Sequence, residues 1–234
     1  MADTLFDRLK TDCAEEWQAY TEHAFVRALG DGTLPEACFR HYLGQDYLFL
    51  IHFARAYALA AYKSETLDDI RQAARGLAAI IDMEMGLHVE FCAAWGLDEA
   101  AMQALPEAEE TMAYTRYVLE KGMAGDLLDL HVALAPCIVG YGEIGTALAT
   151  APAVPLADNP YRAWIEMYAG DDYQDVARSE VAELDRLMER RGGEGRRASL
   201  ATTFRQATRL EVAFWQMGLT AATAETERNT PTRL

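Results

Sequence analysis

The chain has 234 residues, of which 51% are hydrophobic, and its formal net charge is −16. A chain of this length can bury one large core. A negative field of this size repels phosphate backbones and anionic lipid heads, which disfavours binding to nucleic acids or membrane surfaces. The 41 alanines outnumber the 16 valines and isoleucines combined. Because alanine favours helices and β-branched residues favour strands, we predict an all-α fold.

The cysteines and the N-terminus indicate the cellular compartment. The four cysteines are far apart in the sequence: Cys13, Cys38, Cys92 and Cys137. Such spacing is typical of reduced thiols rather than of a disulfide framework or a zinc site. The first ten residues carry four charges and lack the apolar core of a signal peptide, and the longest apolar run, residues 132–139, is too short to span a bilayer. We predict a cytoplasmic protein.

Periodicity and breaker residues predict one domain over residues 1–234 with a flexible tail over residues 225–234. Thr33 and Glu36 have the spacing of a capping box, Thr66 is a weaker start signal, and Asn159-Pro160 is predicted to cap a further helix. Residues 151–159, which hold two prolines, are predicted as a loop. The predicted helices cover approximately residues 5–29, 36–63, 66–95, 107–121, 126–150, 160–170, 173–191 and 199–224.

Asp46 is the first polar residue that interrupts an apolar helical face. Residues 42–62 are too apolar for a surface helix, and helical spacing puts Asp46 on the same face as Tyr42, Phe49 and Phe53. A carboxylate on an aromatic helical face must be solvated, be paired with a cation or have a function. Two interpretations remain open, an ion pair with an arginine from another helix and a functional site.

Glu211 raises the same question in the last predicted helix, where Phe204, Phe214 and Trp215 lie on or near its face. Burial would raise the pKa of this carboxyl and suit it to proton donation near neutral pH. Pairing with Arg209 would instead leave the carboxyl exposed and inert. The residues alone do not decide between the two.

Cys137 follows a proline inside a predicted helix. Pro136 cannot donate a hydrogen bond to the carbonyl of Val132 and crowds it, so we expect a kink there. Tyr141 lies one turn beyond Cys137, and we expect an amide left unpaired at the kink to favour the Cys137 thiolate. A lone cysteine on an apolar face is usually a small buried hydrophobe, so the pattern by itself does not indicate a nucleophile.

Three further patterns are interpreted as structural. Residues 140–145 (GYGEIG) match the dinucleotide-binding string, but no strand precedes them and a proline loop follows. Glu84 and His88 have the spacing of a metal clamp, yet the second Glu-x-x-His pair of a di-iron bundle is missing. His23 could be an axial haem ligand. Both histidines are better explained as hydrogen-bonded structural residues.

Seven motifs in order along the chain resemble the TenA family, and together they cover nearly its whole length. They are residues 23–26 (HAFV), 30–35 (GDGTLP), 42–50 (YLGQDYLFL), 135–137 (APC) with Tyr141, 142–145 (GEIG), 164–168 (WIEMY) and 211–215 (EVAFW). The resemblance implies a haem oxygenase-like helical bundle, assembled as a homotetramer, without a metal or organic cofactor.

The same resemblance implies hydrolysis of 4-amino-5-aminomethyl-2-methylpyrimidine to the hydroxymethyl pyrimidine and ammonia, and in many members cleavage of thiamin into pyrimidine and thiazole. Cys137 corresponds to the nucleophile of the cysteine-containing branch. Glu211 corresponds to the acid that protonates the ring, and Asp46 to the residue that holds the ring's amino group. The implied pocket residues are Phe49, Tyr114, Tyr141, Tyr168 and Phe214. Phe49 stands where the family often has tyrosine, which keeps the stacking surface but removes a hydroxyl.

Two other functions are compatible with the sequence. One is a haem- or iron-binding member of the same fold, which a visible absorption band or bound iron would reveal. The other is a helical regulator without catalysis, in which the site residues would be dispensable; the negative charge disfavours direct contact with DNA.

Overall fold

The computed structural model describes residues 3–228, without the side chains at positions 83, 87, 94, 194 and 221–228. This part of the chain is helical and contains no strand, which confirms the all-α prediction. A π-helical turn covers Ile80–Glu84, and 3₁₀ turns cover Leu156–Asp158 and Glu194–Arg196. The α-helices are α1 (Leu5–Asp12), α2 (Ala14–Thr21), α3 (Ala24–Gly30), α4 (Glu36–Lys63), α5 (Leu67–Ala79), α6 (Met85–Ala94), α7 (Glu99–Gln103), α8 (Glu109–Ala124), α9 (Leu127–Thr150), α10 (Arg162–Ala169), α11 (Asp171–Arg191) and α12 (Arg197–Arg228).

The single helix predicted over residues 5–29 is wrong, because the chain breaks at Cys13 and again at Glu22 and His23. The breaks turn the chain so that α1, α2 and α3 each pack against α12. At the second break, the Nδ1 atom of His23 accepts a hydrogen bond from the Phe25 amide at 3.2 Å. His23 therefore caps α3, in agreement with its structural interpretation.

The predicted capping box before α4 is also wrong. Pro35 occupies the N-cap position, and no side chain caps the helix there. Thr33 lies two residues too early, and its amide donates to the Ala28 carbonyl at 2.9 Å instead. The weaker signal at Thr66 is confirmed, since its hydroxyl accepts from the Asp69 amide at 3.2 Å at the start of α5.

Several helix boundaries differ from the predicted ones. The predicted cap at Asn159-Pro160 is wrong, because α10 begins at Arg162 with Tyr161 at the N-cap position and no side-chain cap. The helix predicted over residues 66–95 is divided by the π-helical turn, and the short α7, capped by Asp98, was not predicted. Helix α8 runs through Gly122 to Ala124, and α12 continues past Ala224 to Arg228. The rest of the predicted tail, residues 229–234, lies outside the described residues.

Helix α9 is the central element of the fold and packs against α8, α10, α11 and α12. The helix has 24 residues and contains a window of mean hydropathy 1.5, so by length and composition it could cross a membrane. The apolar run over residues 132–139 is by itself too short to do so. However, 67% of that window is buried inside the protein, as in the core helix of a globular domain. The helix is continuous through Pro136.

Three long helices bring the predicted catalytic residues together. Helices α4, α9 and α12 pack against one another and carry Asp46, Cys137 and Glu211, respectively. One hydrophobic cluster includes side chains from all three helices and from both ends of the described chain, between Leu5 and Met217. The three groups are therefore held by the best-packed part of the molecule, which limits their motion.

Candidate active site

Asp46 is buried, with 3% of its surface exposed, and its carboxylate has two partners. The Tyr42 hydroxyl, one turn earlier on α4, donates to Oδ2 at 2.8 Å. The Nε2 atom of His88 lies 2.7 Å from the same oxygen. The arginine pairing considered for Asp46 is therefore wrong, and the residue belongs to a buried polar network.

His88 orients the Asp46 carboxylate from α6. Its Nδ1 atom lies 2.7 Å from the backbone carbonyl of Glu84, which can only accept, so Nδ1 carries a proton. Burial by itself lowers the pKa of His88, but the hydrogen bond and the negative charge of Asp46 outweigh it and raise that pKa above its ordinary value. The pair therefore favours an imidazolium beside a carboxylate. Both ring nitrogens of His88 are occupied, so neither is available for the metal clamp considered with Glu84. The described residues contain no group of three or more metal-binding side chains.

Glu211 is 1% exposed and receives a hydrogen bond at Oε1 from the Tyr114 hydroxyl at 2.8 Å. Burial raises the pKa of Glu211 to about 8; the hydrogen bond from Tyr114 and the nearby Cys137 thiol oppose this rise, and the negative charge of Asp46 adds to it. Arg209 does not pair with Glu211 and instead binds Glu16 at 2.8 Å. At pH 7 the Glu211 carboxyl therefore mostly holds a proton that it can deliver, as expected for a buried acid.

The Cys137 thiol interacts with Glu211, and the residue is 8% exposed. Burial raises the pKa of this thiol well above its ordinary value, and the negative charges of Glu211, Glu84 and Asp46 raise it further. The expectation that a free amide near Pro136 would favour the thiolate is wrong. Three carboxyl groups around a buried sulfur outweigh any single amide, so the resting group is a neutral thiol and must lose its proton as it attacks.

Aromatic side chains enclose the three groups. Phe49 lies 5.0 Å from Tyr114 and 5.6 Å from Phe214, measured between ring centroids, beside Glu211. On the Asp46 side, Tyr141 lies 4.9 Å from Tyr168. All five predicted pocket residues are buried. Aromatic side chains of this kind suit the binding of a planar aromatic ligand.

Several residues of the site were not assigned a role from the sequence. Trp164 donates from Nε1 to the Tyr42 hydroxyl at 3.2 Å, which orients Tyr42 toward Asp46. The four-residue spacing of Tyr42 and Asp46 could have indicated their contact. Glu84 and Tyr173 interact with each other and with Cys137. Tyr173 lies on α11, and no sequence pattern indicates which side chains of separate helices meet.

The geometry can be compared with known proteins. The model of the TENA/THI-4/PQQC family matches residues 11–221. The chain belongs to this family. A crystal structure from Silicibacter sp. TM1040, described as a TenA family transcription regulator, is 48% identical with a TM-score of 0.88 and covers 92% of this chain and 96% of its own.

Two relatives extend the comparison of this TenA family member. An uncharacterized protein of Haemophilus influenzae is 38% identical over 93% of this chain and 100% of its own length. An aminopyrimidine aminohydrolase of Halalkalibacterium halodurans is 36% identical over 86% of this chain and 89% of its own length. Family membership and fold agree with the resemblance found in the sequence motifs.

Proposed function

We propose that this TenA family member is an aminopyrimidine aminohydrolase in thiamin salvage, which hydrolyses 4-amino-5-aminomethyl-2-methylpyrimidine to the hydroxymethyl pyrimidine and ammonia. The observation that carries the proposal is the interaction of the buried Cys137 thiol with Glu211, a buried acid with a pKa of about 8, among aromatic side chains. The similarity to the Halalkalibacterium enzyme supports the choice of substrate. Thiamin, which carries the same pyrimidine, is proposed as a second substrate.

The first chemical step uses all three groups. The Asp46 carboxylate accepts a hydrogen bond from the ring's amino group, and the Glu211 carboxyl transfers its proton to a ring nitrogen. Protonation makes the ring electrophilic, so the Cys137 sulfur adds to the ring carbon next to the one that bears the aminomethyl group. The thiol proton passes to the Glu211 carboxylate as the carbon–sulfur bond forms. The interaction of Glu211 with Cys137 supports the assignment of both transfers to Glu211.

The second part of the reaction exchanges nitrogen for oxygen. Electrons of the dearomatised ring expel the amine from the methylene carbon, which leaves an exocyclic double bond. Water adds to that carbon. The ring nitrogen then loses its proton and the sulfur is expelled, which restores the aromatic ring and returns a proton to Cys137.

Ammonia release tests the proposed function. Purified protein mixed with the aminomethyl pyrimidine should produce ammonia and the hydroxymethyl pyrimidine in a 1:1 ratio, with thiamin run in parallel as a comparison. Absence of ammonia at substrate concentrations up to the millimolar range, with folded protein, would overturn the proposal.

Asp46→Asn should lower kcat/KM by about 10- to 100-fold, the range expected when a hydrogen bond to a charged group, about 1.5–3 kcal/mol, is lost. Asparagine keeps the size of the side chain but removes the charge that faces His88 and the substrate's amino group. Steady-state ammonia release measures the effect. Asp68→Asn, at an exposed surface pair with Arg71, is the matched control and should behave as wild type. An unchanged kcat/KM in Asp46→Asn would mean that the carboxylate does not touch the substrate.

We also propose that the chain acts in the cytoplasm as a homotetramer that binds neither nucleic acid nor membrane. None of the four cysteines forms a disulfide, which supports a reducing compartment. Tyr62 and Met123, near the adjoining ends of α4 and α8, are 87% and 73% exposed, and such apolar surface supports a subunit contact. Light scattering should give four times the chain mass of 26.0 kDa. A monomer mass would contradict this assembly.

A further inference from the structure

A π-helical turn carries Glu84 to the active site. In this turn, Ile80–Glu84, the Met85 amide donates to the Ile80 carbonyl five residues earlier. Compared with an α-helix, this pattern inserts one residue and rotates the following helix, and π-turns of this kind are frequent at functional sites. The rotation lets His88 reach Asp46 on α4 while its Nδ1 holds the Glu84 carbonyl. The turn therefore positions both Glu84 and the partner of Asp46.

Glu84 and Cys137 line the same narrow cleft. The cleft has a cavity volume of about 20 Å³, which is room for about one water molecule. Tyr57, Gly76 and Val176 form part of its wall and also line a neighbouring cleft of about 220 Å³ that extends to the buried His131–Glu180 pair. A molecule as small as water or ammonia therefore has a place beside Glu84 and Cys137, next to a larger space.

The groups around Glu84 suit it to proton exchange. Burial raises the pKa of Glu84 to about 7, with the negative charge of Asp46 adding to the rise and His88 and the Tyr173 hydroxyl opposing it. An acid with this pKa exchanges its proton readily at neutral pH in both directions. Six titratable groups on α4, α6, α9, α10 and α11 interact with Glu84. They are Asp46, Tyr57, His88, Cys137, Tyr168 and Tyr173.

The reaction proposed above includes two proton transfers for which no residue has yet been assigned as donor or acceptor. The nitrogen that departs from the methylene carbon must carry an extra proton to leave as ammonia, and the water that attacks the same carbon must lose one. Glu211 is engaged with the ring nitrogen and the thiol, and its other partner is Tyr114. Both Glu211 and Glu84 interact with the Cys137 sulfur, so a second carboxyl is available close to the reacting ring.

We propose that Glu84 is the acid–base catalyst at the methylene carbon, an inference that rests on the proposed aminohydrolase function. At the start of this step, one proton lies in a hydrogen bond between the Glu84 carboxyl group and the nitrogen of the substrate's amine. As the carbon–nitrogen bond breaks, its electron pair stays on nitrogen, the shared proton stays with it, and ammonia departs from a Glu84 carboxylate. As the water oxygen bonds to the methylene carbon, its proton passes to that carboxylate. Glu84 ends the cycle as it began, and the net reaction consumes one water and releases one ammonia.

Glu84→Gln should lower kcat for ammonia release by about 10²-fold or more, the usual scale for an acid–base group. The loss should depend on the leaving group. Thiazole leaves thiamin as a neutral ring and needs no proton, so only the attack of water is slowed. With thiamin, the variant should release a burst of about one thiazole per active site, followed by slow turnover, while the aminomethyl substrate gives no burst of ammonia.

A second variant separates catalysis from packing. Glu84→Ala opens space in the cleft, and formate, a small carboxylate, should raise its ammonia release at least about tenfold. Circular dichroism and thermal unfolding check the fold of each variant, and formate rescue of the alanine variant decides the question where the glutamine variant misfolds. Glu90→Gln, an exposed glutamate of α6, is the matched control and should keep the wild-type rate.

The possible results are distinguishable. Wild-type protein without ammonia release would overturn the aminohydrolase function itself. An active wild type with Glu84→Gln near the wild-type rate would overturn only the role of Glu84. Equal losses on both substrates, with no thiazole burst and no formate rescue, would also overturn that role, because a glutamate that merely supports the fold would give this result.

Discussion

Cys137→Ser is expected to lower pyrimidine turnover by at least about 10³-fold without unfolding the protein, since loss of a covalent nucleophile has effects on this scale. Serine is close in size to cysteine and fits the same buried position on α9. Its hydroxyl is a far weaker nucleophile at neutral pH, even with Glu211 available to take its proton. Steady-state ammonia release and thermal unfolding, measured on the same preparation, separate a catalytic loss from a folding defect.

The other cysteines provide the controls for this variant. Cys13, Cys38 and Cys92 are also buried, but Cys13 lies between α1 and α2, Cys38 on α4 and Cys92 on α6, and none of them is near Glu211 and Glu84 in the way that Cys137 is. Their replacement by alanine or serine, one at a time, should leave kcat unchanged. Full activity in Cys137→Ser would contradict covalent catalysis and would leave a water molecule activated by a carboxylate as the nucleophile.

The raised pKa of Cys137 also predicts how the thiol reacts with alkylating agents. Iodoacetamide should modify Cys137 slowly at pH 7, because the thiol is neutral there, and faster as the pH rises. Activity should fall in parallel with modification of Cys137, and the pyrimidine substrate should protect against both. Mass spectrometry of the modified peptide measures the rate. Rapid modification that does not change between pH 6 and pH 9 would indicate a thiolate and contradict the neutral resting state.

Glu211→Gln is expected to lower kcat by about 10²-fold or more while the ring still binds. Glutamine keeps the size of the side chain and can still accept the hydrogen bond from Tyr114, but it cannot protonate the ring. The pKa of Glu211 is raised to about 8, so the acid form is present below pH 8 and is lost as the pH rises through that value. The wild-type activity should therefore fall above about pH 8, and the variant should lack this dependence.

The pH profile of kcat/KM and the affinity for the hydroxymethyl product measure the two parts of this prediction. Glu166→Gln, at an exposed surface pair with Arg162, is the matched control and should show the wild-type profile. A near-normal kcat in Glu211→Gln, or an unchanged alkaline limb, would mean that another group protonates the ring.

The sequence predicted the parts of the site that depend on single helices. Asp46 and Glu211 each interrupt an apolar face at helical spacing, and a face of that kind is buried whatever it packs against. The open alternatives were pairings with arginine, and both are wrong. The choice between these alternatives depends on how separate helices pack against one another, and the periodicity of a single helix carries no information about that packing.

Three features that the sequence did not predict have the same physical origin. The contact between His88 and Asp46 depends on the rotation introduced by the π-helical turn, which no spacing rule anticipates. The neutral Cys137 thiol depends on three carboxyls from different segments, whereas the thiolate expectation considered only its own helix. The breaks in the N-terminal helix depend on packing against α12, which lies near the other end of the sequence. Long-range packing overrides local pattern in each case.

The most direct measurement of the catalytic role of Cys137 is product analysis in water enriched in ¹⁸O, with wild-type protein and Cys137→Ser side by side. Wild-type protein should convert the aminomethyl pyrimidine to a hydroxymethyl pyrimidine with one ¹⁸O atom on the methylene carbon, with one ammonia released per product, and Cys137→Ser should form almost none. Labelled product from both proteins at similar rates, or no labelled product from the folded wild type, would contradict hydrolysis by Cys137.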